Sequence, residues 1–200
     1  MPTRVLISGF EPFGNSKLNP SELLVERLSK EPLPGVELYA IVLPVEFDRS
    51  TKVLLQKIEE CNPELVISFG QAEGRSGITP EKVAINFDDA RIPDNSGDQR
   101  KNRKIDEFGP DAFFSTLPVE KMVEAIKSEG VATSLSLSAG AFVCNHLFYE
   151  VQRALHGSAV KSGFVHVPLI PEQGDEFPGQ PTLDLTSMVR GAKAAILSAL

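Results

Sequence analysis

The chain has 200 residues, of which 42% are hydrophobic and 24% are charged. This balance excludes a disordered protein, because disordered chains have too little apolar area to offset the entropy lost on folding. Its 27 Asp and Glu residues outnumber its 20 Lys and Arg residues, and the formal net charge of −7 disfavours binding to nucleic acid or an anionic membrane. The length is that of one ordinary domain, so we predict a single domain over residues 1–200.

The cysteine content and the N-terminal segment together predict a cytoplasmic protein. Two cysteines, Cys61 and Cys144, are too few for a disulfide scaffold in a chain of this length. No apolar segment of the secretory type follows Arg4, and no apolar run approaches the ~20 residues that cross a bilayer. We therefore expect reduced thiols and no membrane contact.

Strands and helices alternate along the chain. Apolar runs predict strands, while capping residues and apolar faces at helical spacing predict helices. In the first half we predict a strand over 5–8, a helix from about 19, a strand over 36–43, a helix over 47–60, a strand over 65–69 and a fourth strand over 83–85. In the second half we predict a helix over 119–127, a strand around 135, a helix over 147–155 with its first turns at Cys144, a strand over 164–167 and a helix from about 183.

This alternation predicts an α/β layered fold with a largely parallel sheet. Residues 88–110 interrupt it, because they are rich in Pro, Gly, Asn and charge and show no periodicity. Connections of that length are usually functional or mobile.

Cys144 is the best candidate for a reactive group. It follows a predicted strand and a glycine, at the edge of the sheet where sites in open α/β folds gather. Backbone N–H groups and the dipole of the helix that starts there would lower the pKa of the thiol. A buried structural cysteine explains the position equally well. Cys61 lacks this context, and we interpret it as structural.

A nucleophilic cysteine needs a base, usually histidine, and the chain has three histidines. Two helical steps turn His146 about 200° away from Cys144, and His156 lies about 18 Å along the same helix. His166 lies near the carboxyl end of the next strand, which a right-handed crossover would lay beside the strand before Cys144. His166 is therefore the preferred base. The alternative is a half-buried histidine that makes its hydrogen bonds within the strand and has no catalytic role.

The residues alone do not choose the carboxylate that would orient the imidazole. Glu81 begins the fourth predicted strand and Asp88 or Asp89 ends it, yet a solvated charge explains each of them as well. A zinc site is disfavoured, because Cys144 and His146 have no second pair at ligand spacing.

Three phenylalanines fall on the same predicted edge of the sheet: Phe10, Phe13 and Phe142. Aromatic side chains in strand-end loops can hold a small, flat, uncharged ring, although they more often close the end of a sheet. The glycine-rich segments 9–14 and 70–75 match neither the phosphate-binding loop nor the dinucleotide-binding pattern, so nucleotide binding is disfavoured.

Five blocks of the sequence resemble the cysteine-type pyroglutamyl peptidases, in the order and at the spacing of that family. They are GFEPFG with NPS (9–14 and 19–21), ITPEKVAIN (78–86), ARIPDN (90–95), SAGAFVCN (138–145), and SGFVHVP with IPEQ (162–168 and 170–173). Together these blocks are far more specific than any short motif.

The resemblance implies a three-layer α/β/α sandwich around a largely parallel, mixed sheet, and an enzyme that cuts the amide bond after an N-terminal pyroglutamyl residue of a peptide. It implies no metal or organic cofactor, and a homo-oligomer, often a tetramer. It also implies a triad of Cys144, His166 and Glu81, which resolves the choice of acid. The residues it implies for contacts with the substrate are Phe10, Phe13, Gln71 and Phe142.

The chain departs from the family pattern at Glu73, where the family has Gly, Ala or Pro. A carboxylate there adds charge beside the site, and a positive φ at this position would be strained without glycine. We therefore expect a slightly reshaped loop. A thiol hydrolase of another small lactam or amide and a catalytically idle small-ligand binding protein of the same fold stay open as alternatives. The hypothesis of a redox switch has less support than these alternatives, because no second cysteine is near Cys144 in sequence.

Overall fold

The computed structural model describes residues 1–200, which form seven strands, five helices and one 3₁₀ turn (Pro171–Gln173). The strands are β1 (Thr3–Phe10), β2 (Val36–Leu43), β3 (Leu65–Gln71), β4 (Thr79–Pro80), β5 (Val83–Ile85), β6 (Ala112–Phe114) and β7 (Lys161–Val167). The helices are α1 (Pro20–Leu28), α2 (Phe47–Cys61), α3 (Val119–Ser128), α4 (Val143–Ala154) and α5 (Leu185–Ala199). None of these helices combines the length and the apolar character that crossing a membrane requires.

Five of the strands form the central sheet, in the order β2-β1-β3-β7-β4. The first four are parallel, and β4 adds an antiparallel edge against β7. Parallel strands joined by helical crossovers are covered on both faces, so their sequences are apolar without interruption. In β1, for example, Val5, Leu6 and Ile7 are all fully buried.

The alternation of strand side chains divides the interior into two hydrophobic cores. Odd-numbered residues of β1 and β3, such as Val5 and Ile67, pack against α1, α3 and α5. Even-numbered residues of the same strands, such as Leu6 and Val66, pack with Phe164 of β7 against α2 and α4. The three-layer α/β/α sandwich with a mainly parallel mixed sheet is therefore confirmed.

Two of the predicted strands behave differently. Residues 83–85 do form a strand, β5, but it pairs with β6 in a separate antiparallel sheet and is not part of the central one. The predicted strand around Leu135 is wrong, because this segment makes only isolated bridges, Ile78 with Thr133 and Glu81 with Ser136. Its leucines alternate with serines as in a strand, yet Leu137 is 70% exposed while Ser136 is buried.

The absence of a strand around Leu135 changes how the segment before Cys144 is placed relative to the sheet. The segment around 135 runs parallel to residues 78–81, whereas β4 runs antiparallel to β7. The segment before Cys144 is therefore one place removed from β7 and antiparallel to it, so the predicted right-handed crossover between neighbouring parallel strands is wrong.

The aperiodic segment 88–110 packs over the start of α2. The Asp94 carboxylate accepts a hydrogen bond from the Phe47 N–H at 3.0 Å and so caps α2, whose own N-cap residue, Glu46, makes no capping bond with its side chain. The Arg100 guanidinium lies 4.4 Å from the centre of the Phe47 ring and pairs with the buried Asp88 carboxylate at 3.2 Å. These contacts place the segment against the layer of α2 and α4.

Candidate active site

Cys144 is the second residue of α4 and is half-buried. Its thiol lies over β3 at Gly70, where a methyl group would come within 2.9 Å of the Cys144 Sγ. Gly70 therefore makes room for the thiol, because any larger residue at this point of β3 would occupy the same space.

His166 is the neighbour of Gly70 in the sheet, since the register of β3 and β7 pairs these two residues. Phe164, two residues earlier, belongs to the core under α4, and side chains two apart in a strand share a face. The imidazole of His166 therefore lies on the same face of the sheet as the Cys144 thiol, one strand away from the position that the thiol covers. The ring is nearly buried and packs 4.9 Å from the Phe164 ring.

Glu81 directly follows β4 and is fully buried. Its Oε1 lies 2.7 Å from the His166 Nδ1, and its backbone N–H donates to the Phe164 carbonyl at 2.9 Å. With Nδ1 as the donor to Glu81, the Nε2 of His166 is the ring atom free to accept a proton.

The two aspartates that the residues alone left open are not near His166. Asp88 is fully buried and bonds to His146, at 3.0 Å from the Nδ1, while Asp89 is exposed. The interpretation as a solvated charge is thus wrong for Glu81 and for Asp88. His146 is held within an ion cluster away from Cys144, and no group of side chains in the chain is arranged as a metal site.

The pKa values describe how charge is distributed at rest. Burial raises the pKa of Glu81, but the hydrogen bond of His166 and the charge of its protonated form outweigh burial, with smaller contributions from Ser136 and Arg75, and leave this pKa below its ordinary value. Burial raises the pKa of the Cys144 thiol to about 12, and the charge of Glu81 acts in the same direction. The N–H of Cys144 does lower this pKa, as predicted for a helix start, but by less. The resting thiol is therefore neutral.

An aromatic pair lies at the start of α4. The rings of Phe13 and Phe142 are both partly exposed, with their centres 6.1 Å apart, and Phe142 meets the Phe47 ring edge-on at 5.5 Å. Phe10 does not share this surface, because it is buried against Phe164 at 6.3 Å. Two of the three predicted phenylalanines thus form a partly exposed pair at the start of α4, and the third is buried in the core.

Comparison with known proteins agrees with this architecture and site. The sequence model of the pyroglutamyl peptidase family matches residues 3–200. The pyrrolidone-carboxylate peptidase of Vibrio vulnificus (strain CMCP6) is 46% identical over 197 residues, which are 98% of this chain and 92% of that protein. The crystal structure of pyroglutamyl peptidase I from Bacillus amyloliquefaciens superposes with a TM-score of 0.95 at 40% identity, covering 100% of this chain and 95% of the other.

The chain belongs to the pyroglutamyl peptidase family. Its members are cysteine-type peptidases, and the predicted resemblance is confirmed over nearly the whole chain. A mutant pyrrolidone carboxyl peptidase from Pyrococcus furiosus extends the agreement to a hyperthermophile, with a TM-score of 0.92 at 37% identity over 98% of both chains. The alternative of a catalytically idle binding protein is not favoured.

Gln71, the remaining predicted contact residue, ends β3 and is half-buried. Its Oε1 accepts a hydrogen bond from the Gln173 Nε2 at 3.0 Å. Gln173 is fully buried and is itself held by the Leu18 carbonyl at 3.2 Å and the Ser16 hydroxyl at 3.3 Å. The amide of Gln71 is thereby oriented with its Nε2 left to donate. The sequence contained a signal for Gln173, because this residue closes the last of the five family blocks.

Two further features of the 70–75 loop bear on the site of this pyroglutamyl peptidase. Glu73 is exposed and has an ordinary φ, whereas the positive φ of the loop, +83°, falls on Gly74. The expected strain at Glu73 is therefore wrong. Arg75, which the sequence analysis left without a role, reaches the Glu81 carboxylate at 3.1 Å.

Proposed function

We propose that Cys144, His166 and Glu81 are the catalytic triad with which this pyroglutamyl peptidase hydrolyses the amide bond after an N-terminal pyroglutamyl residue of a peptide. The observation that carries the proposal is the His166–Glu81 contact of 2.7 Å beside a thiol that covers the sheet neighbour of His166. This contact leaves the Nε2 of the imidazole to serve the thiol, which is the arrangement of a nucleophile, a base and an orienting acid.

The first half of the reaction forms a thioester. The Cys144 Sγ attacks the pyroglutamyl carbonyl carbon while its proton passes to the Nε2 of His166, in keeping with the raised pKa of the buried thiol. The carbonyl electron pair moves to oxygen and returns as the C–N bond breaks. The protonated His166 then gives its proton to the departing amine. Glu81 stabilises the imidazolium and holds its tautomer.

The second half releases pyroglutamate. His166, neutral again, takes a proton from a water molecule as its oxygen attacks the thioester carbon. The C–S bond breaks, and the proton on His166 returns to the Cys144 sulfur. The enzyme is restored with no change in oxidation state and no cofactor consumed.

We assign the stabilisation of the oxyanion to the Cys144 N–H and to the loop that follows β3. The Cys144 N–H lies in the first turn of α4, where backbone donors have no acceptor within the helix. Within the loop, the Ala72 N–H already donates to the Val167 carbonyl, whereas the side-chain Nε2 of Gln71 makes no hydrogen bond within the chain and can donate to the substrate. Each such donor is typically worth ~3–4 kcal/mol in the transition state.

The aromatic pair supports selectivity for a lactam. Pyroglutamate is flat and carries no charged amine, so it can lie against the partly exposed rings of Phe13 and Phe142 without dehydrating a charge. An ordinary N-terminus would bring an ammonium group into the same apolar place, with no partner for it. Phe10 is buried against Phe164 and lies outside this exposed pair.

Release of a fluorescent amine from a pyroglutamyl arylamide tests the proposal, with prolyl and glutamyl arylamides as control substrates. We expect the pyroglutamyl substrate alone to be cleaved, and activity to be lost in Cys144→Ala but kept in Cys61→Ala. A folded, reduced wild-type protein that cleaves none of the three would refute the function. Cleavage that persists in Cys144→Ala would refute the nucleophile.

We infer further that the protein acts in the cytoplasm as a homo-oligomer, a tetramer by family resemblance. Both cysteines are free, which suits a reducing compartment. Large apolar side chains such as Phe114, 69% exposed, and Leu137, 70% exposed, are typical of surfaces that associate. Light scattering on a size-exclusion column measures the mass directly, and a monomer at all micromolar concentrations would contradict the inference.

A further inference from the structure

Arg75 lies between the candidate acid and the segment that leads to the candidate nucleophile, and no step of the mechanism above uses it. Its Nη2 is 3.1 Å from the Glu81 Oε1 and also donates to the Ser138 carbonyl at 2.9 Å. Its Nη1 donates to the Thr79 hydroxyl at 2.7 Å. The side chain is only 25% exposed, so these contacts lie largely outside solvent.

The Glu81 carboxylate needs a second partner. Its Oε2 is buried without any hydrogen bond, and its Oε1 alone receives the His166 imidazole. A carboxylate held through one bond at one oxygen is free to turn about that bond, and a buried negative charge with a neutral partner only is costly. Arg75 supplies the opposite charge, in an ion pair with the same oxygen at 3.1 Å.

The same guanidinium fixes the acid relative to the nucleophile. Ser138 precedes Cys144 by six residues, in the turn that leads into α4, and Thr79 precedes Glu81 by two, in β4. A planar guanidinium with donors in fixed directions can hold three acceptors of this kind at once, whereas the ammonium of lysine is a point charge. Arg75 is therefore the one side chain that contacts the acid and also binds both of these segments.

Electrostatics at the thiol supports the same role. The negative charge of Glu81 raises the pKa of Cys144, and the positive charge of Arg75 lowers it. Arg75 thus offsets, at the nucleophile, part of the unfavourable effect of the acid.

We propose that Arg75 is a positioning residue of the triad: it holds the Glu81 carboxylate in line with His166 and ties it to the turn before Cys144. The proposal rests on the proposed function, because it presumes the roles of those three residues. Arg75 itself touches no reacting atom.

Steady-state kinetics of Arg75→Met and Arg75→Lys on the pyroglutamyl arylamide test this role. We expect kcat to fall about 10- to 100-fold in Arg75→Met, as for other residues that orient a reacting group, with KM changed less than about twofold. Arg75→Lys keeps the charge but not the three contacts, so its kcat should lie between that of wild type and that of Arg75→Met. Arg153→Met is the matched control, because Arg153 pairs with Glu150 on the exposed side of α4.

Alkylation of Cys144 by iodoacetamide, in a Cys61→Ala background, adds a readout that does not require turnover. Loss of the Arg75 charge should slow alkylation at a fixed pH near neutrality, while Arg153→Met should not. A kcat within about twofold of wild type in folded Arg75→Met overturns the proposal, and so does a loss expressed in KM alone. If wild type cleaves the arylamide and the variants match it, only the role of Arg75 fails. If the folded wild type cleaves nothing, the proposed function itself fails.

Discussion

Gly70 and His166 face each other across β3 and β7, and the absence of a side chain at Gly70 is what admits the Cys144 thiol beside the imidazole. A methyl group at this position would lie 2.9 Å from the Cys144 Sγ and 2.7 Å from the Phe164 ring. The proposed nucleophile and its proposed base thus depend on a residue that has no reactive group of its own.

Gly70→Ala should therefore displace the thiol and lower kcat more than tenfold, with a loss of stability of about 1–3 kcal/mol from overpacking. Gly157→Ala is a suitable control, because Gly157 follows α4 at a φ of +76° with open space around it. That variant should lose stability through backbone strain but keep its kcat. Kinetics and thermal unfolding measure both effects, and an active Gly70→Ala enzyme would contradict the packing argument.

Glu81→Gln tests which carboxylate serves His166. The amide removes the charge that stabilises the imidazolium and allows the wrong tautomer, so we expect kcat to fall about 10²- to 10⁴-fold. Asp88→Asn changes an equally buried acid that binds His146 and Arg100 instead, and should cost stability, about 1–3 kcal/mol, with kcat nearly unchanged. The opposite pattern, with Asp88→Asn inactive and Glu81→Gln active, would assign the acid to Asp88.

The ionisation of Cys144 has a direct signature in its reaction with iodoacetamide. Because the raised pKa, about 12, leaves the free thiol protonated at neutral pH, the rate should climb about tenfold per pH unit from about pH 7 to about pH 10. The sign follows from the thiolate being the reactive form. Measurement in Cys61→Ala removes the second thiol. A plateau that begins below about pH 8 would instead indicate a thiolate–imidazolium pair at rest.

Phe13→Ala and Phe10→Ala should separate binding from support. Phe13 is partly exposed beside Phe142, so its loss should raise KM for the pyroglutamyl substrate up to about tenfold with little effect on folding. Phe10 is buried, so its truncation should cost about 3–5 kcal/mol of stability. Kinetics and urea unfolding distinguish the two. Equal effects of both variants on KM would place Phe10 in direct contact with the substrate.

Local patterns in the sequence predicted most of the elements closely. The strand over 36–43 matches β2 at both ends, and α2 begins at Phe47 as its periodicity indicates. They failed where contacts between segments distant in sequence decide the structure. Residues 83–85 have strand character, but they pair with β6 and not with the central sheet. The leucines of the segment around 135 face outward, so this segment is not a buried strand. Propensity and periodicity report which backbone a segment favours, not which segment lies next to it.

The same distinction between local patterns and distant contacts applies to the site. The sequence by itself determined that Cys144 stands at a helix start and that His166 ends a strand, and the family blocks singled out Glu81 among 27 acids. Only the tertiary structure decided that His166 meets Glu81 rather than Asp88, that Gly70 leaves space for the thiol, and that Arg75 and Gln173 bear on the site. His166 and Glu81 are 85 residues apart along the chain, and contacts of that range exist only once strand order and register have brought the two segments together.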